Sequence, residues 1–171
     1  MQMRFDPAAD RILWQLRTFG GDLFGVWLTR RLLRHLWPPM QDLVTRAGIA
    51  QLMPHATVVP EARDMLAQAA RERPLPTAKF DQPFTQAATA LPLGPEPLLP
   101  AGFKLSAGPQ NVGLSLEMQE AGGRNLKLQL SDDLSTALAR LIEQALAEAD
   151  WNLAPANPLV PAEPGRPNTL N

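Results

Sequence analysis

Apolar and polar residues alternate strictly in two parts of this chain. Ile12, Trp14 and Leu16 are apolar at every second position, and Phe24, Val26 and Leu28 resume the pattern after Gly20-Gly21. A period of two puts such residues on one face of a half-buried strand. Gly-Gly between two such runs supplies the positive φ that a two-residue hairpin turn requires. Thr29 follows, where an N-cap oxygen can take a backbone N–H left free by the first helical turn. A second stretch repeats this plan with Leu114, Leu116 and Met118, then Gly122-Gly123, then Leu126, Leu128 and Leu130, then Ser131. Aligning the glycine pairs sets an offset of 102 residues, and Leu32 and Leu36 then fall on Leu134 and Leu138. Both stretches read strand, tight turn, strand, helix.

The second helix is the clearer one. Leu134, Leu138, Leu141, Ile142, Ala145 and Ala149 recur at helical spacing over residues 132–149, and Asp132-Asp133 complement the positive end of the helix dipole. After the first hairpin, Leu32, Leu33, Leu36 and Trp37 lead into Pro38-Pro39. Proline removes a backbone donor and clashes one turn back, so the pattern predicts a helix, a kink at Pro38, and a new helix from Pro39 that Gly48 ends. A further helix is expected from about Pro60 to Arg73, stopped by Pro74.

Residues 74–101 hold seven prolines and read as an extended connector, followed by a short strand from Phe103 to Ser106. After Trp151, Pro155, Pro158, Pro161, Pro164 and Pro167 fall at intervals of three. That is the repeat of a polyproline II helix, so 151–171 read as a solvated, disordered tail. The expected organisation is one domain over 1–150. It comprises a ββα unit at 5–50, a helical stretch at 51–73, the connector at 74–101 and a βββα unit at 102–150. The fold class is α+β: an antiparallel sheet built from strand–strand–helix units, with helices on one face.

Composition narrows the chemistry. The chain has 171 residues, no cysteine and 18 prolines. Without cysteine there is no disulfide framework, thiolate metal site or cysteine nucleophile. His35 and His55 are the only histidines, 20 residues apart and without carboxylates at metal-ligand spacing. No Gly-rich phosphate loop and no nucleophile-elbow motif occurs. Asp132-Asp133 are accounted for by the helix dipole rather than as an acid/base pair. No catalytic residue, cofactor or metal is expected. Apolar runs are broken well short of the ~20 residues a membrane span needs, and no signal peptide is evident, so a soluble cytoplasmic protein is the default.

Two features point to binding. Residues 1–50 carry a net charge of +3 and the remainder −4. Arg30, Arg31, Arg34 and His35, flanked by Trp27 and Trp37, form a basic–aromatic cluster suited to nucleic acid or an acidic partner. The two hairpins also differ on their second faces. That of the second repeat is Ser115, Glu117, Gln119, Asn125, Lys127 and Gln129, whereas that of the first is Leu13, Gln15, Arg17, Leu23, Gly25 and Trp27. Leu13, Leu23 and Trp27 are costly to leave in water together, so the connector, the tail, a second copy or a partner is expected to cover them. In the tail, Pro161, Pro164 and Arg166 give the Pro-x-x-Pro-x-basic form that aromatic-lined grooves read. The sequence therefore reads as a non-enzymatic protein-interaction module, a small adaptor or assembly factor, with a homodimer as one form. The alternatives are a nucleic-acid-binding protein that uses the arginine cluster, and an enzyme with a dispersed carboxylate site.

Overall fold

The computed structural model describes residues 1–52, 60–75 and 90–153. The elements are β1 (Gln2–Asp6), β2 (Arg11–Arg17), β3 (Leu23–Thr29), α1 (Arg30–Leu52), α2 (Pro60–Glu72), β4 (Pro100–Ala107), β5 (Leu114–Glu120), β6 (Asn125–Leu130) and α3 (Asp132–Glu148). The class is α+β. The strands form two antiparallel sheets, ordered β1-β2-β3 and β4-β5-β6, rather than the single sheet expected. Leu98, just before β4, bridges in parallel to Val26 on β3. Its N–H donates to the Gly25 carbonyl and its own carbonyl accepts from the Trp27 N–H, both at 2.8 Å.

The repeat holds to the level of strand register. Met3↔Trp14 and Leu13↔Trp27 in the first sheet correspond, 102 residues on, to Leu105↔Leu116 and Ser115↔Gln129 in the second. β1 therefore gives the first unit a third strand, and that unit starts at Gln2 and is βββα like the second. Its five residues are too few and too mixed for alternation to reveal. The hairpin turns also match. Thr18 N–H donates to Asp22 O and Gly21 N–H to Thr18 O, as Glu120 does to Arg124 and Gly123 to Glu120. Of each Gly-Gly pair only the second residue takes positive φ, Gly21 at 92° and Gly123 at 90°. These are turns closed by one left-handed glycine, not the two-residue type expected from Gly-Gly.

Helix capping follows the sequence plan. Thr29 Oγ1 accepts from Leu32 N–H at 3.2 Å and Ser131 Oγ from Leu134 N–H at 3.3 Å. The new helix expected to start at Pro39 is corrected: α1 is a single helix of 23 residues that runs through Pro38 and Pro39. The carbonyls that lose donors belong to Arg34 and His35, which lie on the exposed side, so water can serve them. Gly48 does not end the helix. It is buried where α1 meets α2, and a Cβ there would stand 2.7 Å from the Ala70 Cβ. The helix from Pro60 is present as expected.

The helices pack crosswise. Among the strands, α1 meets chiefly β4 of the second unit and α3 chiefly β1 of the first, while α1 also packs against α2 and α3. Trp14 and Leu28, Leu116 and Met118, Leu36 and Met40, and Leu138 and Ile142 meet at the centre, so one core holds both units. Leu126, Leu128 and Leu130 share the inner face as expected, although Leu128 is only partly buried and Leu134, on α3, is exposed. Trp151 does not belong to a solvated tail as expected. Trp151 is buried, packs edge-on against Phe5 with ring centroids 5.8 Å apart, and donates from Nε1 to Asp10 Oδ1 at 3.1 Å. Pro155 to Pro167, including Pro161 and Pro164, together with Arg166, His55 and connector residues 76–89, lie outside the described residues.

Candidate functional site

The register sets Arg4, Leu13 and Trp27 side by side across β1, β2 and β3. Strand alternation turns these three to the outer face, opposite Met3, Trp14 and Val26. The rows on either side are Gln2–Gln15–Gly25 and Asp6–Arg11–Thr29, and Arg17–Leu23 lies beyond. Leu13, Leu23 and Trp27 are half-buried, whereas Arg4 and Arg17 are exposed. The connector answers part of the question of cover. Residues 90–98 run along the free edge of β3, with Leu23 N–H donating to Ala90 O at 3.0 Å and Leu98 seated in the core. Among the described residues, Pro97 stands over this face against Gly25. The corresponding face of the second sheet is polar throughout: Gln129 Nε2 donates to Ser115 Oγ at 2.9 Å, and Lys104 pairs with Glu117 at 3.9 Å.

Charge divides in the same way. Positions 30 and 31, both arginine, correspond at the offset of 102 to Asp132 and Asp133. On α3 the two acids complement the helix dipole and also make tertiary contacts. Asp132 Oδ1 accepts from Gly113 N–H at 2.7 Å and Asp132 Oδ2 from Gln51. Asp133 pairs with Arg73 at 2.7 Å and so ties the end of α2 to α3. On α1 the two arginines oppose the dipole. Among the described residues, Arg4, Arg11, Arg17, Arg30, Arg31 and Arg34 form no ion pair, whereas Arg46, Arg73, Lys104 and Arg124 do.

Arg31 and His35 open onto a cleft of about 510 Å³, completed by Thr29, Leu32 and the first residues of β4, Pro100 to Phe103. A β-bulge between Pro100 and Gly102 interrupts the pairing of β4 there. A second cleft of about 420 Å³ shares Ala101, Gly102 and Phe103 and is lined beyond them by Lys104, Glu117, Gln119 and Glu120. Glu120 is structurally engaged. Its carboxylate takes Arg124 Nε at 2.6 Å and Leu99 N–H at 3.1 Å, while Arg124 Nη1 donates to the Leu93 and Glu96 carbonyls. The hydrogen bond from Arg124, then that from Leu99, holds the Glu120 carboxyl below its ordinary pKa, and the same pairing raises that of Arg124.

Of the residues the sequence singles out, Leu13, Leu23 and Trp27 share one face. Arg30, Arg31, Arg34 and His35 are exposed on α1, and Trp37 is in the core rather than beside them. Pattern alone overlooks three further contributors. Arg4 joins the Leu13–Trp27 face only once β1 is recognised as a strand, and Arg11 because β2 begins one residue before Ile12, where the apolar alternation starts. Phe19, at the tip of the β2–β3 turn, is fully exposed where the second unit has Ala121; the signal available was a lone phenylalanine in a turn. Among the described residues no group of three potential metal ligands occurs, and no helix is long and apolar enough to cross a membrane. No family model matches the chain, and no curated protein or solved structure matches it.

Proposed function

We propose that the protein is a non-enzymatic interaction module that captures a protein partner on the outer face of β1-β2-β3. One contrast carries this reading. Two sheets with the same register present outer faces of opposite character, polar in the second and centred on Leu13, Leu23 and Trp27 in the first. A Trp and arginines around an apolar centre is the composition of interface hot spots. Affinity capture and sedimentation of the full chain, with Trp27→Ser compared against Gln129→Ser at the matching position, test it. Loss of capture or association with Trp27→Ser alone supports the reading; identical behaviour of the parent and both variants overturns it.

A second reading, nucleic-acid binding, is favoured by Arg31 and His35 beside Phe103 in the larger cleft, with Arg30 and Arg34 unpaired nearby. Phosphate contacts make affinity fall steeply with salt. A salt titration with a random oligonucleotide, repeated with Arg31→Glu/Arg34→Glu, decides it. Binding that fails to weaken with salt, or survives the double reversal, removes this reading.

A further inference from the structure

We propose that the outer face of the first sheet takes an acidic, apolar segment of a partner protein, its apolar side chains seated on Leu13, Leu23 and Trp27 and its carboxylates on Arg4, Arg11 and Arg17. The inference rests on the interaction reading above and adds the chemistry of the partner.

Apolar surface and charge both contribute. Leu23, Gly25 and Trp27 follow one another on the same face of β3. Leu23 and Trp27 are four residues apart, about 13 Å along the strand. Gly25 lies between them where the second unit has Lys127, and Pro97 packs over it, 3.3 Å from where a Cβ would lie, so apolar surface continues from Leu23 to Trp27. The arginines stand at the margins of this surface: Arg4 in the same row as Leu13 and Trp27, Arg11 one row beyond, and Arg17 opposite Leu23. None has an acidic partner among the described residues. The face carries one acid of its own, Asp6, and its Oδ1 already accepts from Ala8 and Ala9 N–H. A planar guanidinium receives a carboxylate through two parallel hydrogen bonds, so three such groups around an apolar centre select an acidic amphipathic ligand.

Other occupants fit less well. Base stacking needs aromatic faces, and Trp27 is the one aromatic residue in these outer rows, the rest of the centre being aliphatic. A second copy docked face to face would bring the Arg4, Arg11 and Arg17 of both copies into one interface, with Asp6 as each face's one acid, an excess of like charge.

The test is selection of random dodecapeptides displayed against the immobilised full chain. Parent, Trp27→Ser and Arg4→Glu/Arg17→Glu proteins are compared after thermal melts show that each is folded. The expected result is enrichment of peptides that combine Asp or Glu with Leu, Ile, Phe or Trp. Their affinity should fall at least about tenfold with either variant and also as salt rises. Enrichment of basic peptides, or of no peptides, overturns the proposal. Uncharged apolar peptides that are lost with Trp27→Ser but indifferent to arginine reversal overturn the acidic chemistry and leave the docking face standing. Peptides indifferent to Trp27→Ser remove both. Arginine-dependent binding of oligothymidylate tighter than that of any selected peptide assigns the face to nucleic acid, and concentration-dependent self-association abolished by Trp27→Ser assigns it to a second copy; either overturns the proposal.

Discussion

Single positions in the two units show where stability has been given up. Arg30 and Arg31 oppose a helix dipole that Asp132 and Asp133 complement at the matching positions of the other unit. Each such charge is worth about 0.3–1 kcal/mol at low salt. Arg30→Asp/Arg31→Asp is therefore expected to raise the melting temperature while reducing affinity for anionic partners. A lowered melting temperature in a calorimetric scan would show that these arginines hold the fold together. Gly48 tests packing in the opposite sense. Replacing an interior helical glycine with alanine ordinarily stabilises by roughly 0.5–1 kcal/mol. Here the new Cβ would meet Ala70 Cβ at 2.7 Å, and α2 must move to admit it. Gly48→Ala is expected to destabilise by about 1–3 kcal/mol, as overpacking does. A denaturant midpoint that is unchanged or raised would contradict the close approach of α1 and α2.

At the scale of elements, α1 and the hairpins respond to different physics. α1 carries two interior prolines, and proline in a helix interior is about 3 kcal/mol less favourable than alanine. Pro39 is exposed, so its replacement disturbs little packing. Pro39→Ala is expected to stabilise by about 1–3 kcal/mol, read as a shift in denaturant midpoint; a loss of stability would mean that the prolines shape the helix to the core. In the second hairpin, Leu116 is fully buried on the inner face and Gln129 is exposed on the outer one. Leu116→Ala is expected to cost about 2–5 kcal/mol and Gln129→Ala under about 0.5 kcal/mol. Similar losses for the two would contradict the register.

In the whole molecule the units depend on one another because α1 and α3 each meet the other unit's sheet more than their own, and also meet each other. A fragment ending at residue 75 would expose Leu36, Met40 and the inner faces of β2 and β3, which β5 and α3 otherwise cover. Such a fragment is expected to lack a cooperative thermal transition and dispersed amide resonances. Glu120 and Arg124 link the connector to the second hairpin by hydrogen bonds to Leu99, Leu93 and Glu96. Since the Glu120 carboxyl titrates lower in the folded chain than in the unfolded one, its contribution is present above the unfolded pKa. That contribution is lost as pH falls through the folded pKa. Glu120→Gln is thus expected to lower stability at neutral pH, with the gap to the parent closing in acid.

The sequence by itself determined what is local. Period-two runs placed β2, β3, β5 and β6, and Thr29 and Ser131 placed the caps, because alternation and capping depend on residues within a few positions of one another. The offset of 102 made the repeat legible, and it also made visible the contrast between the outer faces on which the interaction reading rests. What depends on distant neighbours was not legible. Pro38-Pro39 read as a break because a pattern cannot show that the carbonyls they deprive face solvent. Gly48 read as a stop because its reason is Ala70, on another helix. Trp151 read as part of a tail, yet Phe5 and Asp10 hold it, more than 140 residues away. Only the tertiary structure placed α1 and α3 across each other's sheets. That exchange removes the apolar faces of both units from water in a single core, and the outer face of β1-β2-β3 is left with Leu13, Leu23 and Trp27 half-covered.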